Sequence, residues 1–263
     1  MMSQHSGEVV TTALKLESGE VVTAGSEMIE GNSWAFVRKG SIKVPVATEC
    51  IYSMILSDDA IVVVGKHVDG AYIARFDQET LAIINSEVVD KNFFRFTHVV
   101  PYLGRGDGKY VVVADKFRED RMLSAIVLLD EDFKPVLGVL VSTHDTEDLI
   151  TESSINSVVS DIDGTIYAVG SSSSDKHMGG LIFKVEMSGD VNCIIIASGD
   201  GQWVSVNTVK IVDDMLEVIM MHHNDTPIPT SQVVTFTKNL ELATDVVTTD
   251  DLKTIADAVT NAE

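Results

Sequence analysis

Short apolar runs separated by turn residues fill almost the whole chain, and the pattern is clearest between Ile155 and Ile196. That stretch reads INSVVSDIDGTIYAVG, then a loop SSSSDKHMG, then GLIFKVEMSGD and VNCIII. Runs of this length, rich in Val, Ile and Tyr and broken by Asp-Gly or Ser-Gly, predict strands joined by hairpins. Four in succession predict one up-and-down antiparallel sheet. Looser copies of the unit account for the rest of the chain. With the strands of a unit lettered A to D, the first unit spans 12–16, 21–24, 33–37 and 42–46. The second spans 50–56, 61–64, 71–76 and 82–88, and the third 94–102, 110–114, 125–129 and 136–141. The fourth starts at Ile155, and the fifth spans 204–211, 216–221, 232–236 and 243–247.

The turn residues recur in phase with these runs. The A to B reversal is Ser18-Gly19-Glu20, Ser57-Asp58-Asp59, Gly106-Asp107-Gly108, Asp161 to Gly164 and Val212-Asp213-Asp214 in the five units. Such residues tolerate the left-handed backbone of a tight hairpin. Strand B ends on glycine in three units, at Gly25, Gly65 and Gly170, with Ala114 and Met220 near the corresponding places in the others. The period is about 50 residues, that of a propeller blade rather than of a short solenoid repeat. A lone four-stranded sheet cannot bury both faces, whereas blades stacked around an axis can. The pattern therefore predicts an all-β chain, a five-bladed β-propeller of four-stranded antiparallel blades, with blade starts near Thr12, Cys50, Phe94, Ile155 and Val204. A β-sandwich leaves the long period unexplained, and a β-helix usually has a shorter one. After Thr249 the period changes: Leu252, Ile255, Ala256 and Val259 fall at helical spacing behind Asp250 and Asp251, which predicts a short C-terminal helix over 250–261. The chain thus divides into a propeller domain, 1–249, and a helical tail, 250–263.

Runs such as IYAVG and IVVVG, followed after a loop by GLIFKV or AYIARFD, resemble the degenerate repeat propellers of bacteria and bacterial viruses, of the five-bladed type. The Gly-His and Trp-Asp marks of WD40 repeats and the paired glycines of kelch repeats are missing, so the resemblance implies no particular active site.

Bulk properties narrow the partners. With 40 acidic against 19 basic residues the net charge is −21, which opposes approach to nucleic acid or to an anionic membrane surface. The first residues, MMSQHSGEVV, have neither the basic nor the apolar region of a secretory signal, and no run is long enough to span a bilayer. The expectation is a soluble chain, cytoplasmic during synthesis. Cys50 and Cys193 lie in apolar runs, so buried free thiols are expected rather than a disulfide framework.

Candidate chemistry follows from loop placement. Propeller connectivity puts the A to B and C to D turns on one rim, and the B to C loops and the crossovers between blades on the other. The first set is uniformly short; the second includes 115–122, 142–154, 171–179 and 222–231. Long loops on a rigid scaffold are where binding surfaces usually lie. His67, His144, His177, His222 and His223 all map there, with Asp145, Asp175 and Asp225 nearby. No HxH or HExxH spacing joins them, so solvated loop residues are expected rather than a metal site. Asp161-Ile162-Asp163-Gly164 resembles the opening of a calcium loop but coincides with a hairpin turn that recurs in every unit. Gly104 to Gly108 has no helix behind it to hold a phosphate. No catalytic set, cofactor or metal is expected. The candidate interaction rim is Arg118, His144, Asp145, Asp175, His177, His222, His223 and Asp225.

Two functions from different classes fit. One is a non-catalytic module that binds other proteins of an assembly, such as a bacteriophage tail, baseplate or head component. The other is a carbohydrate-active propeller, a lectin or glycoside hydrolase. Sugar sites stack a pyranose on Trp or Tyr, and the long loops contain neither, which favours the first.

Overall fold

The computed structural model describes residues 7–89, 91–118, 121–140, 152–173, 178–197, 203–223 and 230–242, and none of these is helical. They form five antiparallel sheets in chain order. The first holds β1 (Glu8–Lys15), β2 (Val21–Ile29), β3 (Asn32–Lys39) and β4 (Ile42–Val46). The second holds β5 (Cys50–Ser57), β6 (Ala60–His67), β7 (Gly70–Asp77) and β8 (Ile83–Val88). In the third are β9 (Arg95–Pro101), β10 (Tyr110–Arg118), β11 (Arg121–Leu129) and β12 (Pro135–Leu140). The fourth comprises β13 (Glu152–Ser160), β14 (Ile166–Ser173), β15 (Met178–Val185) and β16 (Val191–Ala197). The fifth has three described strands, β17 (Trp203–Val212), β18 (Met215–His223) and β19 (Thr230–Thr237). An isolated bridge from Phe236 to Leu242 stands where the other sheets begin their fourth ladder. The expected strand 243–247 and helix 250–261 lie outside the described residues.

The middle strands outrun their apolar cores. β2 continues to Ile29 and β10 to Arg118, because hairpin pairing carries the ladder on through polar residues that hydrophobicity alone would assign to loops.

One irregularity recurs in all five sheets. The innermost strand bulges by one residue, at Thr11, Tyr52, Thr97, Asn156 and Asn207. Each bulge faces the place where strand B carries Gly25, Gly65, Ala114, Gly170 or Met220. A Cβ on Gly25, Gly65 or Gly170 would fall on the carbonyl oxygen of Val9, Cys50 or Ser154. The periodic glycine is therefore a steric requirement of close backbone approach. Bulge side chains also cross to the next sheet: Thr11 Oγ1 donates to the Ile51 carbonyl, and Asn156 Nδ2 to that of Val206 at 3.0 Å.

Burial follows the seams between sheets. Val22, Ala24, Ala35 and Val37 of the first sheet pack on Ile61, Val63, Tyr72 and Phe76 of the second. Val62, Val64 and Ile73 turn the other way, onto Phe96, Tyr110, Val112 and Phe133 of the third. The third meets the fourth through Val111, Val113, Ala168 and Phe183, and the fourth meets the fifth through Val169, Ile182, Val218 and Phe236. Both faces of β6 are thus covered, which explains its unbroken apolar run. No comparable apolar cluster joins the fifth sheet to the first among the described residues. Val10 and Val21 of the first sheet are exposed there.

The turns between third and fourth strands depart from simple turn chemistry. Leu81, Phe133 and Leu240 have φ of 58°, 66° and 66°, a region that disfavours bulky residues. All three side chains are buried in the seams, so apolar burial offsets the backbone cost. Cys193 is exposed and Cys50 partly buried. Cys193 lies on the outermost strand β16 opposite the buried Phe183, so the residue as a whole keeps exposed surface while burial of the thiol itself pushes its pKa up to about 12.

Candidate functional site

Two rims result from this topology. On the first, side chains stabilise the short turns locally. Asp77 Oδ1 accepts from the Thr80 amide at 2.7 Å, and Asp130 Oδ1 from that of Lys134 at 2.7 Å. The calcium-like turn belongs here. Asp161 Oδ1 accepts from the Ile162 amide at 2.7 Å, Asp163 Oδ1 from that of Thr165 at 2.8 Å, and Asp161 Oδ2 lies 2.6 Å from Lys238 Nζ. Lys238 also pairs with Asp214. The lysine ammonium thus takes the place a metal would need, and the pairing holds its pKa well above the usual value.

The opposite rim carries the connections between second and third strands and between sheets. Its loops are shorter than the sequence suggests. The expected loop 115–122 is mostly strand: β10 and β11 continue until Arg118 pairs with Arg121. The expected loop 171–179 narrows between Ser173 and Met178. His222 and His223 are the last residues of β18, paired across to Val204 and Trp203. His67 ends β6, and its Nδ1 accepts from the Asp69 amide at 3.1 Å. His144, Asp145, Asp175, His177 and Asp225 lie outside the described residues. Among the described residues no three His, Cys, Asp or Glu side chains converge as metal ligands would, and no helix is long and apolar enough to cross a membrane.

Sequence reasoning missed the aromatic residues of this rim by looking for them inside loops. Trp34 and Trp203 sit near the rim ends of strands instead. Trp203 stacks flat on His223, with ring centres 3.5 Å apart and planes at 2°. Ser205 Oγ lies 3.1 Å from His223 Nε2 and 3.0 Å from Asn207 Oδ1, which fixes the imidazole beneath the indole. Because Ser205 donates to Asn207, the histidine donates to the serine and does not activate it as a nucleophile. Trp203, Met122 and Ser153, Ser154, Ser171 and Ser172 line a pocket of about 220 Å³. Trp34, 45% exposed, lines another of about 500 Å³ between the first two sheets. A paired-strand register places tryptophans at these two ends; no loop motif announces them.

No family model matches the sequence, and no curated protein does. Among solved structures, the Dos1 propeller superposes over 91% of this chain and 59% of its own length, with a TM-score of 0.52 at 14% identity. The fold is a β-propeller. This chain thus spans 59% of the Dos1 propeller chain, and the likeness extends to architecture alone. An endo-arabinase from Bacteroides thetaiotaomicron aligns with a TM-score of 0.44 at 9% identity, covering 88% of this chain and 94% of that one. A thermostable family-43 glycoside hydrolase gives 0.42 at 12%, covering 89% and 92%. Those two values are too low to inform function.

Proposed function

We propose that the protein is a non-catalytic, five-bladed interaction module whose working surface is the rim of blade crossovers and B to C connections. Its partners are other proteins of an assembly, and a bacteriophage virion is the assembly that the repeat resemblance suggests. The observation that carries the reading is the placing of both tryptophans, each lining a pocket, on that one rim. The opposite rim consists of short turns, and its pocket of about 400 Å³, lined by residues such as Glu17, Ser18, Asp58, Asp59 and Glu79, holds no aromatic side chain. A net charge of −21 supports protein partners over nucleic acid or membrane. The same tryptophans favour a second reading, a carbohydrate-binding propeller, since they supply the aromatic surface that the loops lack.

The test changes exposed side chains on each rim. Phe117, 54% exposed, lies on the working rim and Ile162, 78% exposed, on the other. Phe117→Asp should reduce copurification with the native assembly at least several-fold while the melting temperature falls by no more than about 4 °C, the loss of its edge contact with Phe94. Ile162→Asp should leave copurification intact. The reverse pattern moves the contact to the opposite rim and refutes the proposal.

A further inference from the structure

The pocket between the first two blades is built from Gly31, Asn32, Ser33 and Trp34 on one side. Ala47, Thr48 and Glu49 of the crossover and His67 and Val68 of the second blade's hairpin form the other. Its walls are fixed by backbone-directed bonds. Ser33 Oγ donates to the Glu49 carbonyl at 2.7 Å, and Thr48 Oγ1 donates to the Lys66 carbonyl. The Ala35 amide donates to the Thr48 carbonyl at 2.9 Å and the Glu49 amide to that of Lys66 at 2.8 Å. The crossover is thereby stitched to both neighbouring strands, so the pocket is pre-formed.

The chemistry of the lining selects the ligand. Trp34 is 45% exposed and Val68 74%, an amount of apolar surface that an isolated rim gains nothing by presenting. Beside them stand an amide that can donate and accept, Asn32, and an imidazole with a defined tautomer. His67 Nδ1 accepts from the Asp69 amide at 3.1 Å, which leaves Nε2 as the N–H donor. Charge in the lining is balanced: Glu49 Oε2 lies 2.6 Å from Lys66 Nζ. With no uncompensated cation the pocket has nothing to hold a phosphate or carboxylate, and the net charge of −21 repels both. Its one carboxylate already has a lysine partner, which removes the attraction for an amine. What remains is an aromatic and aliphatic surface flanked by neutral donors and acceptors. A neutral pyranose matches it, with an apolar C–H face for the indole and hydroxyl groups that both donate and accept. The volume of about 500 Å³ falls within the range of small-ligand sites.

We propose that this pocket is a carbohydrate-binding subsite taking a neutral hexose unit against Trp34, with Asn32 and His67 Nε2 bonding its hydroxyls. The inference deepens the carbohydrate reading of the rim and is independent of which protein the rim contacts.

The experiment is saturation-transfer NMR on the whole chain with glucose, galactose, mannose, N-acetylglucosamine and rhamnose as probes, and with inorganic phosphate as the anionic control. At least one hexose should show transfer, strongest at ring C–H protons, and phosphate should leave the protein spectrum unchanged. Trp34→Ala should weaken binding by about tenfold, the worth of a good aromatic contact. Trp203→Phe should leave it unchanged, which separates this pocket from the one among the third, fourth and fifth sheets. Asn32→Ala, on an exposed hairpin, provides a second variant should Trp34→Ala fold poorly, and should weaken binding several-fold. No transfer from any of the five sugars overturns the proposal, as does equal binding by wild type, Trp34→Ala and Asn32→Ala. Phosphate binding with no sugar binding would show an anion site instead and equally overturns it. Copurification with the assembly is measured separately, so failure here leaves the protein-interaction reading standing.

Discussion

Gly164 shows how much one missing Cβ can carry at a turn. Its φ is +93°, and a Cβ there would run into the hydroxyl of Tyr102 on the neighbouring blade. Gly19 occupies the matching turn of the first blade at φ +87°, but a Cβ on it would meet nothing. Gly164→Val should therefore lower unfolding free energy by about 3 kcal/mol, left-handed strain and overpacking together. Gly19→Val should lose only the strain, about 1–2 kcal/mol. Urea melts giving equal losses would show that Tyr102 swings aside freely. At this scale the sequence is readable where a residue type has one physical use. The glycines at 25, 65 and 170 could be recognised as periodic before their bulge partners were seen. Leu81, Phe133 and Leu240 could not, because their positive φ is sustained by distant apolar neighbours, and no local pattern encodes that.

Elements were misread where pairing outlasts hydrophobicity. Asp115, expected at the start of a loop, lies inside β10 at 5% exposure. Arg95 Nε of β9 donates to its Oδ2 at 2.6 Å, and the Ser124 hydroxyl lies 3.4 Å from its Oδ1 and 3.2 Å from the Ser153 carbonyl. Ser124 in turn joins the blades, since its amide donates to Ser153 Oγ at 3.0 Å and its Oγ accepts from the Ile155 amide at 3.2 Å. A polar residue in the middle of a strand looks like a strand end in sequence; here the carboxylate belongs to a network across a seam. Asp115→Ala leaves the Arg95 guanidinium without its carboxylate, while the Ser124 hydroxyl keeps the Ser153 carbonyl. The expected loss is about 3 kcal/mol, against less than about 0.5 kcal/mol for Asp132→Ala on an exposed turn. Chemical denaturation compares them directly, and a small loss at Asp115 would mean that water replaces the carboxylate.

Five repeats could be counted from the sequence because each sheet repeats the same steric problem between two turns, a bulge set against a small residue in four of the five and against Met220 in the last. How the blades associate end to end was not legible, since a seam is written in residues some fifty positions apart and changes from blade to blade. Among the described residues four apolar clusters join the five sheets, and the outward face of the first sheet carries ions. Arg38 and Lys43 lie over the Phe36 ring at 5.2 and 4.9 Å, and both pair with Glu8, at 2.5 and 2.7 Å. That pairing holds the Glu8 carboxyl at about 2. Innermost strands supply a controlled comparison. β1, β5 and β13 each pair with a single strand of their own sheet, but β5 and β13 also pack between two blades. Amide protection reports local opening, so β1 should exchange faster than β5 and β13 in native-state hydrogen exchange, although the three ladders are alike. Asn207 sharpens the comparison. Its counterparts Thr11 and Asn156 bond to the carbonyl at the matching bulge of the following blade, whereas Asn207 Nδ2 turns to Met221 Sδ at 2.7 Å, within its own blade. The equivalent carbonyl in the first blade is that of Val10. Protection of β1 equal to that of β5, lost on Asn207→Ala, would show that Asn207 reaches Val10 in solution and that a fifth seam closes the ring.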